Sequence, residues 1–450
     1  MYIGEDVNRG FLLIVAAVAA MVAVGGVLAS GVLHQGTDYE GRTVTLIDHL
    51  DRGEYDEVFE MFDDTMKEDP SAKNLQATWE EHILSNYGQF GTIEEIDYTD
   101  QTPYRIAQAY CHFMYGGLCI TVVYNIGGTV AGLFFGPWNT DDDMNLPEGL
   151  KESDVLINKG TEWELAGKLT GLTGGITGTA AVLVHGSGPS DMDETIYTNK
   201  PFRDLAWGLA ESGIDVLRYD KRTYAHGAAM ASMDKLTVEE ETIQDAIAAG
   251  VMLREMGYEN VYLIGHSMGG MLAPRILEEC PGTFDGFVSM AGSPRTLTEI
   301  IIDQNRAAIE ELEGEQREYY EGLIEAEIGK LDLMDRWTEQ ELLSNTVFSL
   351  PAYYVKEMNS HDAAEAARGL DVPMLFVQGS ADFQVSVEKD YEAWRDAMKG
   401  ESSAGFILYP GLNHLFMVSQ GDDAGTLREY AQKGTVSNTV IEDIAEFILG

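Results

Sequence analysis

Apolar residues follow three different patterns along the chain. Residues 11–33 carry no charge and are built almost wholly from Val, Ala, Leu, Ile, Met and Gly. Roughly 20 such residues cross a hydrocarbon core as a helix, so the stretch reads as an uncleaved single-span anchor. A cleaved secretory signal is the competing reading. Its apolar core is usually about 7–15 residues long and follows positive charge. Here Arg9 and the amino terminus are the only positive groups, with Glu5 and Asp6 beside them, while Ala29, Ser30 and Gly31 would permit cleavage. With Arg9 ahead of the span and no Lys or Arg after it until Arg42, the expected orientation is N-terminus in and the remainder extracytoplasmic.

From residue 37 to 136 the pattern changes twice. Val44, Ile47 and Leu50, then Tyr55, Val58, Phe59 and Phe62, recur at helical spacing. Apolar runs at 104–115, 118–126 and 129–135 then read as strands, with Gly116-Gly117 and Gly127-Gly128 as hairpin turns. Helices followed by an antiparallel sheet predict a small α+β domain. Residues 137–152 read as an acidic linker. Its Asp141, Asp143, Asn145 and Glu152 fit positions 1, 3, 5 and 12 of a calcium loop, but Leu146 stands where such a loop needs Gly. No metal is expected there.

The third pattern fills 153–450. Short apolar runs at 179–184, 214–219, 261–264, 284–291, 374–377 and 406–409 alternate with helix-patterned segments. That order predicts a doubly wound, mainly parallel sheet. One long interruption, about 294–371, is charged and helix-patterned, with Ile300, Leu323, Ile324, Leu331, Leu333 and Trp337 among its apolar positions. It reads as a helical lid between two core strands, and Tyr353 and Tyr354 are its candidates for shaping a pocket. The alternative is that these residues only pack the insertion itself.

Candidate chemistry sits at the ends of the predicted strands. The run 261–264 enters Gly265-His266-Ser267-Met268-Gly269-Gly270, and a helix pattern follows at once. A strand reverses into a helix that abruptly only where neighbouring residues lack side chains. Gly265 and Gly269 supply that clearance and leave Ser267 presented at the strand's carboxyl end. His185-Gly186-Ser187-Gly188-Pro189 ends another strand, Gly379-Ser380-Ala381-Asp382 a third, and Leu412-Asn413-His414 follows the last.

On these four motifs, in this order, the chain resembles the α/β-hydrolase fold from about Trp163 onward, and within it the serine acyl-esterases that carry a small extra domain. The 37–136 unit is similar to the cystatin-like or NTF2-like domains found ahead of some hydrolases. The resemblance implies a chain order of serine, acid, histidine. Of the nine histidines, only His361 and His414 follow Ser267. His361 lies inside the insertion, where a helix cap is its plainer role, so His414 is the expected base. Asp382, the first carboxylate after 374–377, is the expected acid; Asp371 precedes that strand and falls at its wrong end. His266 should point away from the site by alternation. Backbone N–H groups of Met268 and Ser187 are the implied oxyanion donors. Such a site needs no cofactor.

Composition narrows the partners. The 450 residues include 29 Lys+Arg against 75 Asp+Glu, a formal net charge of −46. A surface of that sign repels nucleic acid. It is either an acidic solubilising coat or an adaptation to high salt. Protein partners are not legible. Of three cysteines, Cys111 and Cys119 lie on adjacent predicted strands and could bridge if their loop were odd-numbered; Cys280 stands alone. The expected activity is hydrolysis of short- to medium-chain acyl esters through an acyl-enzyme. A serine peptidase or thioesterase with the same triad is the alternative, and a non-catalytic binding protein on this scaffold a third. A peptidase would need an anchor for a peptide amine. Glu239, Glu240 and Glu241 could supply one, although Thr237 ahead of them suggests a solvated helix start.

Overall fold

A computed structural model describes residues 12–14, 38–68, 72–101, 104–138, 145–309, 314–421 and 424–450. The chain divides into two compact units, the first mainly residues 1–143 and the second mainly 144–450.

In the first unit the helix Tyr39–Asp51 and shorter helical turns precede four of the strands of a five-stranded antiparallel sheet. Its strands are β1 (Leu12–Ile14), β2 (Phe90–Gln101), β3 (Tyr104–Phe113), β4 (Gly116–Tyr124) and β5 (Val130–Trp138), in the order β1-β5-β4-β3-β2. Leu46, Leu50, Val58 and Trp79 from the helical part share one core with Phe113, Ile120, Leu133 and Phe135 from the sheet. Strand β2 was not visible in the hydropathy. It is an edge strand with exposed acidic positions and register shifts near its start, so half of its residues have no apolar requirement.

The β3–β4 turn falls at Met114 and Tyr115, two residues before the expected glycine pair, which begins β4 instead. A two-residue turn sets Cys111 opposite Leu118 and Tyr110 opposite Cys119. Side chains alternate across a sheet, so the two thiols project from opposite faces and no bridge forms; all three cysteines are free.

Most of the expected membrane span lies outside the described residues. Leu12–Ile14, which are described, are not helical there: they pair antiparallel with Leu133–Phe135 of β5. No helix among the described residues is long and apolar enough to cross a membrane.

The second unit is built on an eight-stranded sheet: β6 (Leu150–Ile157), β7 (Leu165–Leu172), β8 (Thr179–Val184), β9 (Asp215–Tyr219), β10 (Asn260–His266), β11 (Gly286–Met290), and, after the hairpin β12 (Thr346–Val347) and β13 (Leu350–Pro351), β14 (Met374–Gly379) and β15 (Ala404–Tyr409). The order is β15-β14-β11-β10-β8-β9-β7-β6. Strands β8 to β11, β14 and β15 run parallel, while β7 is antiparallel to both β6 and β9. Strands β6 and β7 were also missed in the sequence. Along β6 only Leu150 and Ile157 are buried, as suits a charged edge strand.

Glu152 therefore belongs to β6, not to a linker or a calcium loop. Its carboxylate accepts from Arg218 Nη2 at 2.8 Å, Trp207 Nε1 at 2.9 Å and Thr170 Oγ1 at 3.1 Å. Burial pushes its pKa up, but Arg218 and these hydrogen bonds outweigh that and hold it down at about 2. Residues 141–144 lie outside the described residues.

Between β11 and β14 the chain forms the helices Leu297–Ala308, Gly314–Met334, Glu339–Ser344, Ala352–Asn359 and Ala363–Arg368. Met334, Leu342, Val347, Ala352 and Val355 make a local core of this insertion, with Leu331, Trp337 and Tyr353 against it. Ile300, Tyr354 and Met358 join the main core instead.

Candidate active site

Strand β8 has β9 on one side and β10 on the other, so chain order reverses beside it. Crevices open at the carboxyl ends of strands at such a point. The loop 185–189 leaves β8 there and Ser267 leaves β10 beside it.

Ser267 caps the helix Met268–Glu279 with φ 53° and ψ −115°, a backbone conformation that a side-chain-bearing residue adopts only under constraint. Its N–H donates to Met290 O at 2.8 Å. The flanking glycines explain how so sharp a reversal fits. A β-carbon on Gly265 would lie 2.2 Å from Gly269 O, and one on Gly269 would lie 2.2 Å from Val184 O. Ser267 itself remains half-buried.

The residues expected as acid and base meet. His414 Nδ1 donates to Asp382 Oδ2 at 2.7 Å. Gln378 Nε2 donates to the same oxygen at 2.6 Å, and the N–H groups of Gln384 and Val385 donate to Oδ1 at 2.8 and 3.0 Å. Asp382 thus accepts at both oxygens, and its contact with Nδ1 orients the His414 ring. Sequence reading overlooked Gln378; its only signal was a polar residue ending an otherwise apolar strand.

His266 does not turn away. Its ring centroid lies 4.7 Å from that of His414, and its Nε2 donates to His414 O at 2.9 Å, tying the serine strand to the histidine loop. Its Nδ1 is 2.9 Å from Glu194 Oε2. Nε2 thus has an acceptor and a carboxylate lies beside Nδ1, surroundings that favour the imidazolium. Burial opposes that charge, but Glu194 and the His414 carbonyl overcome it and raise the pKa. His361 sits at the other end of the serine helix, 3.9 Å from Glu278, and Asp362, not His361, caps the helix that follows.

The loop after β8 is held from two directions. Gly186 N–H donates to Glu194 Oε1 at 2.8 Å, and Lys221 Nζ donates to Gly186 O and Gly188 O at 2.8 and 3.0 Å. A β-carbon on Gly186 would lie 3.2 Å from Ser267 Cβ, so this loop borders the serine. Ser187 is exposed, and Met268 opens the serine helix.

Glu241 is buried, not solvated. Lys221 Nζ lies 2.6 Å from its Oε1 and Tyr354 Oη donates to its Oε2 at 2.7 Å. The helical turn that begins after Thr237 faces this glutamate inward, while Glu240 folds back to accept from Thr237 N–H. No group of three or more His, Cys, Asp or Glu among the described residues is arranged to hold a metal ion.

Comparison with known proteins identifies the family. A sequence model described as the alpha/beta hydrolase family matches residues 181–424. The chain belongs to the alpha/beta hydrolase family. A second, described as a protein of unknown function (DUF3887), matches residues 44–133. The esterase EstD of Thermotoga maritima is 33% identical over 417 residues, covering 91% of this chain and 95% of that protein. Among solved structures, Est1E from Butyrivibrio proteoclasticus aligns with a TM-score of 0.43 at 16% identity, over 66% of this chain and 97% of that one. Dipeptidyl peptidase 4 of Porphyromonas gingivalis aligns at 0.42 and 15%, over 79% and 43%.

One buried group in this hydrolase sets an acid limit on its stability. His185 packs against Phe202 and Tyr219, and its Nε2 donates to Asp191 O at 3.0 Å. Burial, with Lys221 adding to it and Glu194 opposing, lowers its pKa to about 4. A folded pKa below the unfolded one means that the unfolded chain binds the proton first as pH falls. Stability present above about pH 6.5 is therefore lost toward pH 4, by about 2 kcal/mol at pH 5. His266, raised instead, contributes most below pH 6.5 and does not share that loss. Urea midpoints at pH 7 and pH 5 should fall less for His185→Gln than for the wild type; equal falls would exclude His185 as the source.

Proposed function

We propose that this chain hydrolyses carboxylic esters by nucleophilic catalysis at Ser267, with His414 as general base and Asp382 as its partner. The observation that carries the reading is the 2.7 Å Asp382–His414 hydrogen bond, tied through His266 to a positive-φ serine at a sheet switch point. His414 takes the proton from Ser267 as the oxygen attacks the ester carbonyl. The same proton then passes to the departing alkoxide, and water repeats the cycle on the acyl-enzyme. The N–H groups of Met268 and Ser187 are the proposed donors to the tetrahedral oxyanion. Gly186 N–H is engaged by Glu194 and Pro189 has none, so Ser187 and Gly188 are left from that loop.

Ser267→Ala and His414→Ala should each lower turnover on the order of 10⁶-fold, whereas His361→Ala should retain activity. Fluorophosphonate labelling that persists in Ser267→Ala, or equal losses at both histidines, would overturn these roles.

A small neutral acyl ester is the substrate class favoured here. The carboxylate best placed to anchor a peptide amine, Glu241, is already paired with Lys221. A net charge of −46 also disfavours anionic substrates at low salt. On one preparation, kcat/KM for a neutral short-chain p-nitrophenyl ester should exceed that for an aminoacyl-anilide, and salt should raise the rate for anionic esters more than for neutral ones. A faster anilide would replace the esterase reading with a peptidase one.

Residues 11–33 are proposed as a membrane anchor, with the hydrolase unit extracytoplasmic, on their length and lack of charge alone and against the pairing of Leu12–Ile14 with β5. The full chain should then sediment with membranes and a chain starting near Thr37 should not; recovery of the full chain in the soluble fraction would dismiss the anchor.

A further inference from the structure

Strand β9 ends in Tyr219, and the next turn carries Lys221 into the interior, 2% exposed. An ammonium buried so deeply is tolerated only when its three N–H bonds all find acceptors. Gly186 O and Gly188 O accept from it at 2.8 and 3.0 Å, and Glu241 Oε1 meets its charge at 2.6 Å. Two of the three belong to the loop beside Ser267.

The geometry of one peptide unit gives this a consequence. In a planar trans peptide the N–H of residue 187 points opposite to the C=O of residue 186. Holding Gly186 O against Lys221 therefore turns Ser187 N–H away from Lys221. Gly186 N–H is meanwhile fixed by Glu194, so both faces of Gly186 are restrained and Ser187 N–H has one orientation. Preorganised donors of this kind need no reorientation when charge develops on the substrate.

The restraint extends into the insertion. Tyr354, on the helix Ala352–Asn359, donates to Glu241 Oε2 at 2.7 Å, and its hydroxyl lies 3.6 Å from Met268 Sδ. One insertion residue thus reaches the support of Ser187 and the side chain of Met268.

We propose that Lys221 is a positioning residue that orients Ser187 N–H for the oxyanion, and that Tyr354, through Glu241, makes the insertion part of that support. The inference rests on the nucleophile and oxyanion roles given above. Lys221 takes no part in bond making; it fixes the peptide that does the stabilising.

The test uses the full chain and a neutral p-nitrophenyl ester beside its thionoester, whose sulfur is a poor hydrogen-bond acceptor. Lys221→Met combined with Glu241→Gln removes the ammonium without leaving a bare buried carboxylate. Its kcat for the oxygen ester should fall roughly 10²-fold with KM changed by less than about twofold, and the thionoester should lose far less. Tyr354→Phe, which leaves the ion pair in place, should shift the oxygen-to-sulfur rate ratio the same way by several-fold. Should the double variant not fold, this ratio in Tyr354→Phe decides alone. Equal losses on the two esters, or a kcat close to wild type, would overturn the role of Lys221; an unmoved ratio in Tyr354→Phe would overturn that of the insertion. Ser267→Ala is measured in parallel. If it still turns over, the nucleophile reading fails; if it is inactive while the Lys221 variant is unaffected, only the positioning role fails.

Discussion

The hydrolase unit depends on how closely the start of one helix approaches the end of a neighbouring strand. Met268–Glu279 begins against the carboxyl end of β8, so close that a single methyl group on Gly269 would sit 2.2 Å from Val184 O. That approach forces Ser267 into positive φ, places the helix amides beside the β8 loop, and brings the loop within reach of the serine. Introducing a β-carbon would demand a backbone shift at the junction of two central strands, where packing is least able to yield. The strain at Ser267 persists because hydrogen bonds on both sides define it: Met290 O behind its own N–H, and the His266–His414 link in front.

Around this junction the protein concentrates charge of the sign it otherwise lacks. Arg218, Lys221 and Arg222 follow one another out of β9, all buried, in a chain of net charge −46. Each has its own carboxylate: Glu152 and Asp193 for Arg218, Glu241 for Lys221, Asp245 for Arg222. Buried pairs of this kind add little net stability, but losing one partner typically costs about 3–5 kcal/mol, because the other charge is stranded. Their effect is to allow few alternative arrangements. Arg218 ties β9 to β6, and Lys221 ties the same strand end to the loop beside the serine. Scaffold and site are thus restrained by residues three apart at the end of one strand.

What was legible in the sequence divides along the same physical line. Central strands are buried on both faces and stand out as apolar runs: five of the six runs correspond to β8, β9, β10, β14 and β15, and 284–291 spans β11. Motifs at strand ends were equally plain, because glycine and serine interrupt apolar runs abruptly. Edge strands β2 and β6, and β7 beside the latter, were not, since a strand with a solvated face has no hydropathic signature distinct from loop. Long-range polar contacts were also hidden. Nothing local in Asp220-Lys221-Arg222 says that Lys221 will meet carbonyls 33 and 35 residues away, nor in Glu239-Glu240-Glu241 that only the last will be buried. The turn at Met114 and Tyr115 was misplaced by two residues for a related reason: glycines that begin β4 look the same as glycines in a turn until the register is known.

These hidden contacts change the meaning of acidity in this chain. By composition, the 75 carboxylates are a surface property and imply a negative field around Ser267 as well. Around the serine, however, the nearest buried carboxylates are all engaged: Asp382 by His414, Gln378 and two backbone amides, Glu194 by Gly186 and His266, Glu241 by Lys221 and Tyr354. Their charge is met within a few ångströms by a cation or by amide dipoles, so little of it projects into the crevice. A carboxylate already paired with a cation is also a poorer anchor for a substrate amine. The acidic coat and the chemistry are therefore separable. One acts at long range and is screened by salt, whereas the other is set by short contacts that salt does not reach.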